Sequence, residues 1–537
     1  MSKIDPVEQS ERIARSISVR ERTLYLCPSP LLGYGLKTLN ERLAKDSAIL
    51  CVEADEKLFK LSAKSAVFNE GENSLRLEKI RAEENSPEEL CAMVSRRWGK
   101  RRFRRVETVR LNGGWQLYPD FYEKTAAALQ REIALSWGNA MTLIKLGRLY
   151  SRNFFKNLSK LSSAQSVTEL DYGSDPVLVL GAGPSLDQLL SDLQKHFGRQ
   201  IENTGTRPFR IICADTAVLS LKDRNISPDL VVILESQHWN LRDFIGAAGW
   251  KADTACDMSA LHGSMKILKG KNYLFSIPWT ELSVFKRLEN AALLPPAMTP
   301  LGSVGLTAME IALKLGSGKI IAGGLDFSFS MDAYHARSTP GHKAKLASIN
   351  RFKSALSANE AFREGCFSAD SKQNKKVKSD PSLRNYRDLF EAEFGANKRI
   401  YQTDSSGLNL GCEIISNDKA AEILASAQKT DSINREADHR GHAEKYAAFI
   451  EEEKKCLTDI KATLTGSRPE NVNEKNEFEK TLAKCDYLWA HFPEYAGTGS
   501  LPDFSDISFL KRIRAETDPF LELCDFALRE INLKAIP

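Results

Sequence analysis

Val177-Leu178-Val179-Leu180-Gly181-Ala182-Gly183-Pro184-Ser185-Leu186-Asp187 decides how this chain is read. Four consecutive apolar residues followed by glycine form a short strand buried on both faces, the pattern of parallel sheets. Gly181 and Gly183 let the backbone turn tightly and approach a neighbour closely. Pro184 lacks an N–H and suits a first helical turn. Ser185 can cap that helix or bond a phosphate oxygen. The helix start also offers unpaired N–H groups and a positive dipole end to an anion. No lysine follows, so this is not a Walker loop, and the third glycine of a G-x-G-x-x-G turn is missing. The stretch reads as a strand–turn–helix unit at a nucleotide.

Similar units continue outward. Phe209–Cys213, Leu230–Leu234, Tyr273–Phe275 and Lys319–Ala322 are further apolar strand signals, which predicts a parallel α/β sheet. Ligands bind such sheets outside the carboxyl ends of the strands. Asp215 and Glu235 fall at two of those ends, where carboxylates bond ribose or base donors or hold a metal. Asp229 reads as a turn residue. Thr299-Pro300-Leu301-Gly302-Ser303-Val304-Gly305 opens a helix over Leu306–Leu315 and forms a second small-residue helix start for an anion. Gly323-Gly324-Leu325-Asp326 puts a third acid just beyond a strand, and Tyr334-His335 and His342 follow. A histidine in that loop can act as general acid or base near neutral pH.

The flanks carry less chemistry. Leu24–Cys27, a turn with Gly33 and Gly35, a helix over Leu36–Ala44 and Ala48–Val52 ending at Glu53 make a βαβ unit. Such units hold nucleotides with the acid on the ribose, but the glycine pattern is incomplete, so a structural or partner-binding role fits better. Arg96, Arg97, Lys100, Arg101, Arg102, Arg104 and Arg105, with Trp98 and Phe103 between them, read as a solvated face, an intramolecular contact or a contact for an acidic protein. Tyr122–Leu158 reads as connecting helices that Gly138 and Gly147 can interrupt. Lys372, Lys375, Lys376 and Lys378 suggest a mobile loop. Beyond Asn417 the chain turns helical, with apolar stripes (Tyr446, Phe449, Ile450, Leu457, Ile460; Leu521, Cys524, Leu528, Ile531) that predict bundle core.

Composition narrows the class. The 537 residues imply about three domains, placed at 1–165 (N-terminal, Rossmann-like α/β), 166–415 (central, catalytic) and 416–537 (helical). Hydrophobic residues at 42% and charged residues at 27% exclude a disordered or fibrous chain. No apolar run approaches the ~20 residues of a membrane span, and the first residues do not resemble a signal peptide. A net charge of +5 gives little support for a nucleic-acid partner. The ten cysteines and eight histidines show no zinc spacing, so buried reduced thiols in a cytoplasmic protein are expected, with no metal site.

The ordered set G-A-G-P-S-L, A-D-T-A, S-P-D-L-V-V-I-L-E-S, T-P-L-G-S-V-G and G-G-L-D-F with Y-H-A resembles the motility-associated factor (Maf) family of flagellin glycosyltransferases. Their central domain is similar to CMP-sialic-acid-dependent bacterial sialyltransferases. The core of the resemblance runs from Pro176 to His342. It implies a central Rossmann-like glycosyltransferase domain between an N-terminal α/β domain and a C-terminal helical region. It implies transfer of a nonulosonic acid (sialic, pseudaminic or legionaminic type) from a CMP-activated donor to Ser or Thr of flagellin, with no required cofactor. Carried over, Gly181, Gly183, Pro184 and Ser185 lie along the nucleotide and its phosphate, and Asp215 is a polar contact where the sialyltransferases carry Asn. Thr299, Gly302 and Ser303 belong to the second nucleotide loop. His335 is the best match to the histidine at the sugar, with His342 as the other candidate and Asp326 beside it. Where the relatives often carry an aspartate-containing turn this chain has Leu234-Glu235-Ser236-Gln237-His238, a departure from the family's donor contacts, and Glu235 is counted among the expected nucleotide-sugar-binding residues.

Archaeal-type hydroxymethylpterin diphosphokinases share this core. That alternative needs ATP and Mg²⁺, with Asp215, Glu235 and Asp326 as metal-binding acids. A flagellin-binding scaffold without catalysis is a third reading.

Overall fold

The computed structural model describes residues 5–535 apart from 63–64, 66–76, 82–85, 100–101, 331–332, 355–359, 427–438, 467–470 and 497–501. The chain divides into two compact units, Met1–Gly147 with Trp489–Asp503, and Arg148–Leu488 with Phe504–Pro537. Among the described residues, no helix is long and apolar enough to cross a membrane.

The first unit holds a four-stranded parallel sheet. Its strands are β1 (Thr23–Pro28), β2 (Ala48–Glu53), β3 (Leu77–Arg81) and β4 (Arg105–Thr108), in the order β3-β2-β1-β4. All six residues of β1 and of β2 are buried, as an apolar strand covered on both faces requires. Glu53 at the end of β2 is fully buried rather than turned towards a ribose. Ser29 Oγ donates to it at 2.8 Å and Asp55 N at 3.1 Å, and burial pushes its carboxyl up. The basic patch is broken up. Arg96 and Arg97 end the helix Pro87–Trp98, Arg105 opens β4, and Lys100 and Arg101 lie outside the described residues. Arg102 donates to Lys45 O, Arg104 stacks over Trp137, and Phe103 is buried. The stretch around Gly138 and Gly147 is one uninterrupted helix, Pro119–Asn157.

The second unit is built on nine parallel strands. These are β5 (Gln165–Ser166), β6 (Val177–Leu180), β7 (Arg210–Ala214), β8 (Leu230–Ile233), β9 (Asp253–Asp257), β10 (Asn272–Phe275), β11 (Ile320–Gly323), β14 (Ile400–Thr403) and β15 (Glu413–Ile415). The short antiparallel pair β12 (Phe367–Asp370) and β13 (Lys376–Ser379) lies outside that sheet. It replaces the mobile loop expected around Lys372. The sheet order is β15-β14-β11-β6-β7-β8-β9-β10-β5. Val177, Val179, Ile212, Leu230 and Ile320 share a core with Leu306, Met309 and Ile311 of the helix Val304–Leu315. On the opposite face of the sheet Leu180 meets Leu189 of the helix Leu186–Phe197 at Gly323.

Polar residues are buried where they pair. Asp229 accepts from Arg207 and from Ile211 N, with Arg210 3.6 Å away, and Arg210 also bonds Asp175 at 2.9 Å. It is thus the centre of an ion cluster at the entry to β7 and β8, and more than a turn residue. In the C-terminal part Tyr446, Phe449, Ile450, Leu457 and Ile460 of His439–Thr465 are buried, as are Cys524 and Ile531 of Ile507–Ala535. The first stripe is core, while Leu521 and Leu528 leave the second only partly buried.

Candidate functional site

Strand order locates the site. From β6 the chain adds β7, β8, β9 and β10 on one side, then returns to place β11 on the other side of β6. The carboxyl ends of β6 and β11 are therefore the switch point of the sheet, the place where open α/β sheets bind ligands. A cavity of about 210 Å³ lies there, lined by Gly181–Gly183, Ala214, Thr216, Ser303–Gly305, Gly324–Ser328, Tyr334, His335, Leu383 and Tyr386.

The glycine turn after β6 closes on the loop after β11. Gly183 N donates to Gly324 O at 2.8 Å, and Leu186 N bonds back to Gly183 O. Ser185 donates to Asp326 twice, N–H to Oδ2 at 2.7 Å and Oγ to Oδ1 at 2.5 Å. A Cβ on Gly183 would stand 2.6 Å from Asp326 Oδ2 and 2.7 Å from Gly324 O, so the turn has to be glycine there. The carboxylate of Asp326 thus occupies the positive end of the helix Leu186–Phe197, where a phosphate was expected, and Ser185 spends its hydroxyl on that carboxylate. Burial pushes the Asp326 carboxyl up, while the Ser185 bonds and the nearby Lys372 ammonium hold it down. Its carboxylate oxygens serve the glycine turn, and Leu408 N bonds its carbonyl.

The second helix start remains available. Ser303 caps Val304–Leu315 without a side-chain hydrogen bond to the helix, and Ser303, Val304 and Gly305 line the cavity, which puts the helix start, with its first-turn N–H groups, at the cavity wall. Gly302 takes φ +72°, and a Cβ there would press on Tyr386 at 3.3 Å. Thr299 turns away and binds Glu310 through its N–H at 2.9 Å.

His335 lines the cavity and His342 does not. The His335 loop is latched to the glycine turn by Ala336 N to Ala182 O at 2.9 Å, and its ring packs over Gly341 and edge-on to Tyr334. His342 serves a helix start, accepting from Ser338 N through Nδ1. Phe327 takes φ +47°, a strained backbone for a bulky residue at the cavity wall.

Asp215 and Glu235 come together, but behind the wall formed by Ala214 and Thr216. Asn240 Nδ2 bridges Asp215 Oδ2 (2.7 Å) and Asp243 Oδ2 (3.0 Å), and Ser264 donates to Asn240 Oδ1. Burial pushes both aspartates up, Asp243 adds to the push on Asp215, and Glu235 adds to the push on each. Glu235 Oε1 accepts from Gln237 N. Asn153 and Asn157, from the last turns of the long helix, bind the backbone of the loops after β8 and β9. Among the described residues, no group of three or more His, Cys, Asp or Glu is placed to hold a metal ion.

Comparison with known proteins adds three findings. Residues 152–332 match a family model described as 6-hydroxymethylpterin diphosphokinase MptE-like. An uncharacterized protein of Treponema pallidum (strain Nichols) is 29% identical, over 97% of this chain and 91% of its own length. A solved Maf glycosyltransferase from Magnetospirillum magneticum AMB-1 aligns over 99% of this chain and 82% of that chain, at 15% identity and a TM-score of 0.49.

Thr216, Ser328, Leu383 and Tyr386 line the cavity without having stood out in the sequence. Leu383 and Tyr386 come from the helix Pro381–Phe394, far along the chain from His335. The close fit of Gly302 against Tyr386 has no local signature, so only folding reveals it.

Proposed function

We propose that this chain is a cytoplasmic glycosyltransferase that moves a nonulosonic acid from a CMP-activated donor to Ser or Thr hydroxyls of flagellin, in support of flagellar assembly and motility. The observation that carries the reading is one crevice joining an open helix start, Ser303–Gly305, to the imidazole of His335. The phosphodiester of a CMP-sugar bears a single negative charge, which one helix start suits. As the sugar–phosphate bond breaks, charge grows on the phosphate, and fixed N–H donors stabilise it. His335 takes the proton of the acceptor hydroxyl or gives one to the departing phosphate. Asp326 holds the glycine turn against the β11 loop, and Gly181, Gly183 and Pro184 shape the wall along the nucleotide. Asp215 and Glu235 support that wall from behind, beside Thr216.

The family-model match favours a second reading, a 6-hydroxymethylpterin diphosphokinase-like enzyme using ATP and Mg²⁺. Its acids already have partners: Asp326 accepts twice from Ser185, and Asp215 accepts from Thr216 N and Asn240. A melting-temperature rise with CMP in the absence of Mg²⁺, together with a mass increase of flagellin made alongside this protein and a nonulosonic-acid pathway, is expected. Pterin turnover with ATP and Mg²⁺ and no change in flagellin mass would replace the transferase with the kinase.

A further inference from the structure

The loop that carries His335 continues into a segment with an unusual charge. His335–Ser354 contains Arg337, Lys343, Lys345, Arg351 and Lys353 and no Asp or Glu. The whole chain has 75 basic and 70 acidic residues, so without these five the remainder balances at 70 against 70. The segment carries a surplus of five positive charges; Arg96–Arg105, with seven basic residues and no acid, is the denser basic stretch in sequence. Arg337, Lys343, Arg351 and Lys353 are exposed.

The same segment presents apolar side chains to solvent. The helix Pro340–Ser348 buries none of its residues. Leu346 is 56% exposed and Phe352 86% exposed, with Ile349 between them. Burial of such side chains is favourable, so an isolated chain gains nothing by this arrangement. Arg351 lies over the Phe352 ring, which keeps a cation beside the most exposed apolar group.

We propose that His335–Ser354 is the docking surface for the protein acceptor, which it recognises through an acidic segment carrying an apolar anchor. This rests on the transferase reading and extends it to the choice of acceptor. Opposite charge draws the acceptor in, and the exposed Leu346 and Phe352 hold it. Position selects the acceptor over other acidic partners. The segment begins at His335, which lines the crevice, and Ala336 fixes it to the glycine turn. A chain docked along it is delivered to the histidine.

The test uses the full-length protein and purified flagellin. A variant with Lys343→Gln, Lys345→Gln, Arg351→Gln and Lys353→Gln removes charge without touching the cavity, and Phe352→Ser removes the anchor separately. Because each exposed ion pair contributes little on its own, the fourfold variant should bind flagellin roughly tenfold more weakly at low salt. The gap should close at high salt. CMP should raise the melting temperature of wild type and both variants equally. Undiminished flagellin binding by both variants overturns the proposal. So does binding of wild type to phosphatidylglycerol vesicles but not to flagellin, which would make the segment a membrane contact. Absence of a CMP effect on the wild type instead overturns the transferase reading, whatever the flagellin result.

Discussion

Asp326→Ala tests the central geometric claim, that a carboxylate from the β11 loop holds the glycine turn. Ser185 donates to it through N–H at 2.7 Å and O–H at 2.5 Å. Hydrogen bonds to a charged group contribute about 1.5–3 kcal/mol each. Burying the carboxylate opposes this, as its raised pKa shows. The net loss should be roughly 2–4 kcal/mol. With an unfolding entropy of about 2.1 cal/mol/K per residue, a unit the size of Arg148–Leu488 with Phe504–Pro537 should lose roughly 3–5 °C of melting temperature. Asp326→Asn should lose less, because its carbonyl can accept the Ser185 N–H while its amide donates to the hydroxyl. Removing the carboxylate also frees the positive end of Leu186–Phe197. Phosphate added to the buffer should therefore recover part of the loss in the alanine variant and add less to wild type. Differential scanning fluorimetry with and without phosphate reads all three effects. Equal melting of wild type and Asp326→Ala, or Asn as damaging as Ala, would refute the clamp.

Gly183→Ala forces a Cβ into the Asp326 carboxylate and the Gly324 carbonyl, and should destabilise by roughly 1–3 kcal/mol; Gly138→Ala, in a helix with open space around it, should stabilise by about 0.5–1 kcal/mol in denaturant titration. His335→Ala should lower transfer by on the order of 10²–10⁴-fold with little change in CMP affinity, whereas His342→Ala should leave transfer within a few-fold in the same mass assay. Asp486 is half-buried, with Oδ2 accepting from Ser283 N at 2.8 Å and a buried Oδ1 lacking a partner, and desolvation pushes its carboxyl up to about 7 from 3.8. Its contribution to stability is full below the unfolded pKa and is lost as pH rises through about 7, so Asp486→Asn should remove roughly 2–4 kcal/mol of the decline between pH 4 and pH 7. Parallel melting curves for the two proteins across that range would count against this assignment.

The sequence by itself determined the strands that are buried on both faces. Val177–Leu180, Leu230–Leu234 and, in the N-terminal unit, Leu24–Cys27 and Ala48–Val52 are apolar throughout, because parallel strands covered by helices have no solvated face. The two glycine-bearing helix starts were legible for a similar local reason, since tight turns and helix caps restrict residue type. Short or polar strands such as Arg105–Thr108, Asp253–Asp257 and Glu413–Ile415 were not, because their pairing comes from neighbours distant in the chain. Tertiary structure alone decided which helix start stays open. Both look equally fit for an anion in sequence, yet Asp326 crosses from another strand to occupy one of them. It also decided between the histidines, since His335 lines the crevice from its loop whereas His342 sits in the first turn of Pro340–Ser348. Those choices depend on contacts between distant residues, such as Ser185 and Asp326, 141 positions apart, which no local pattern encodes.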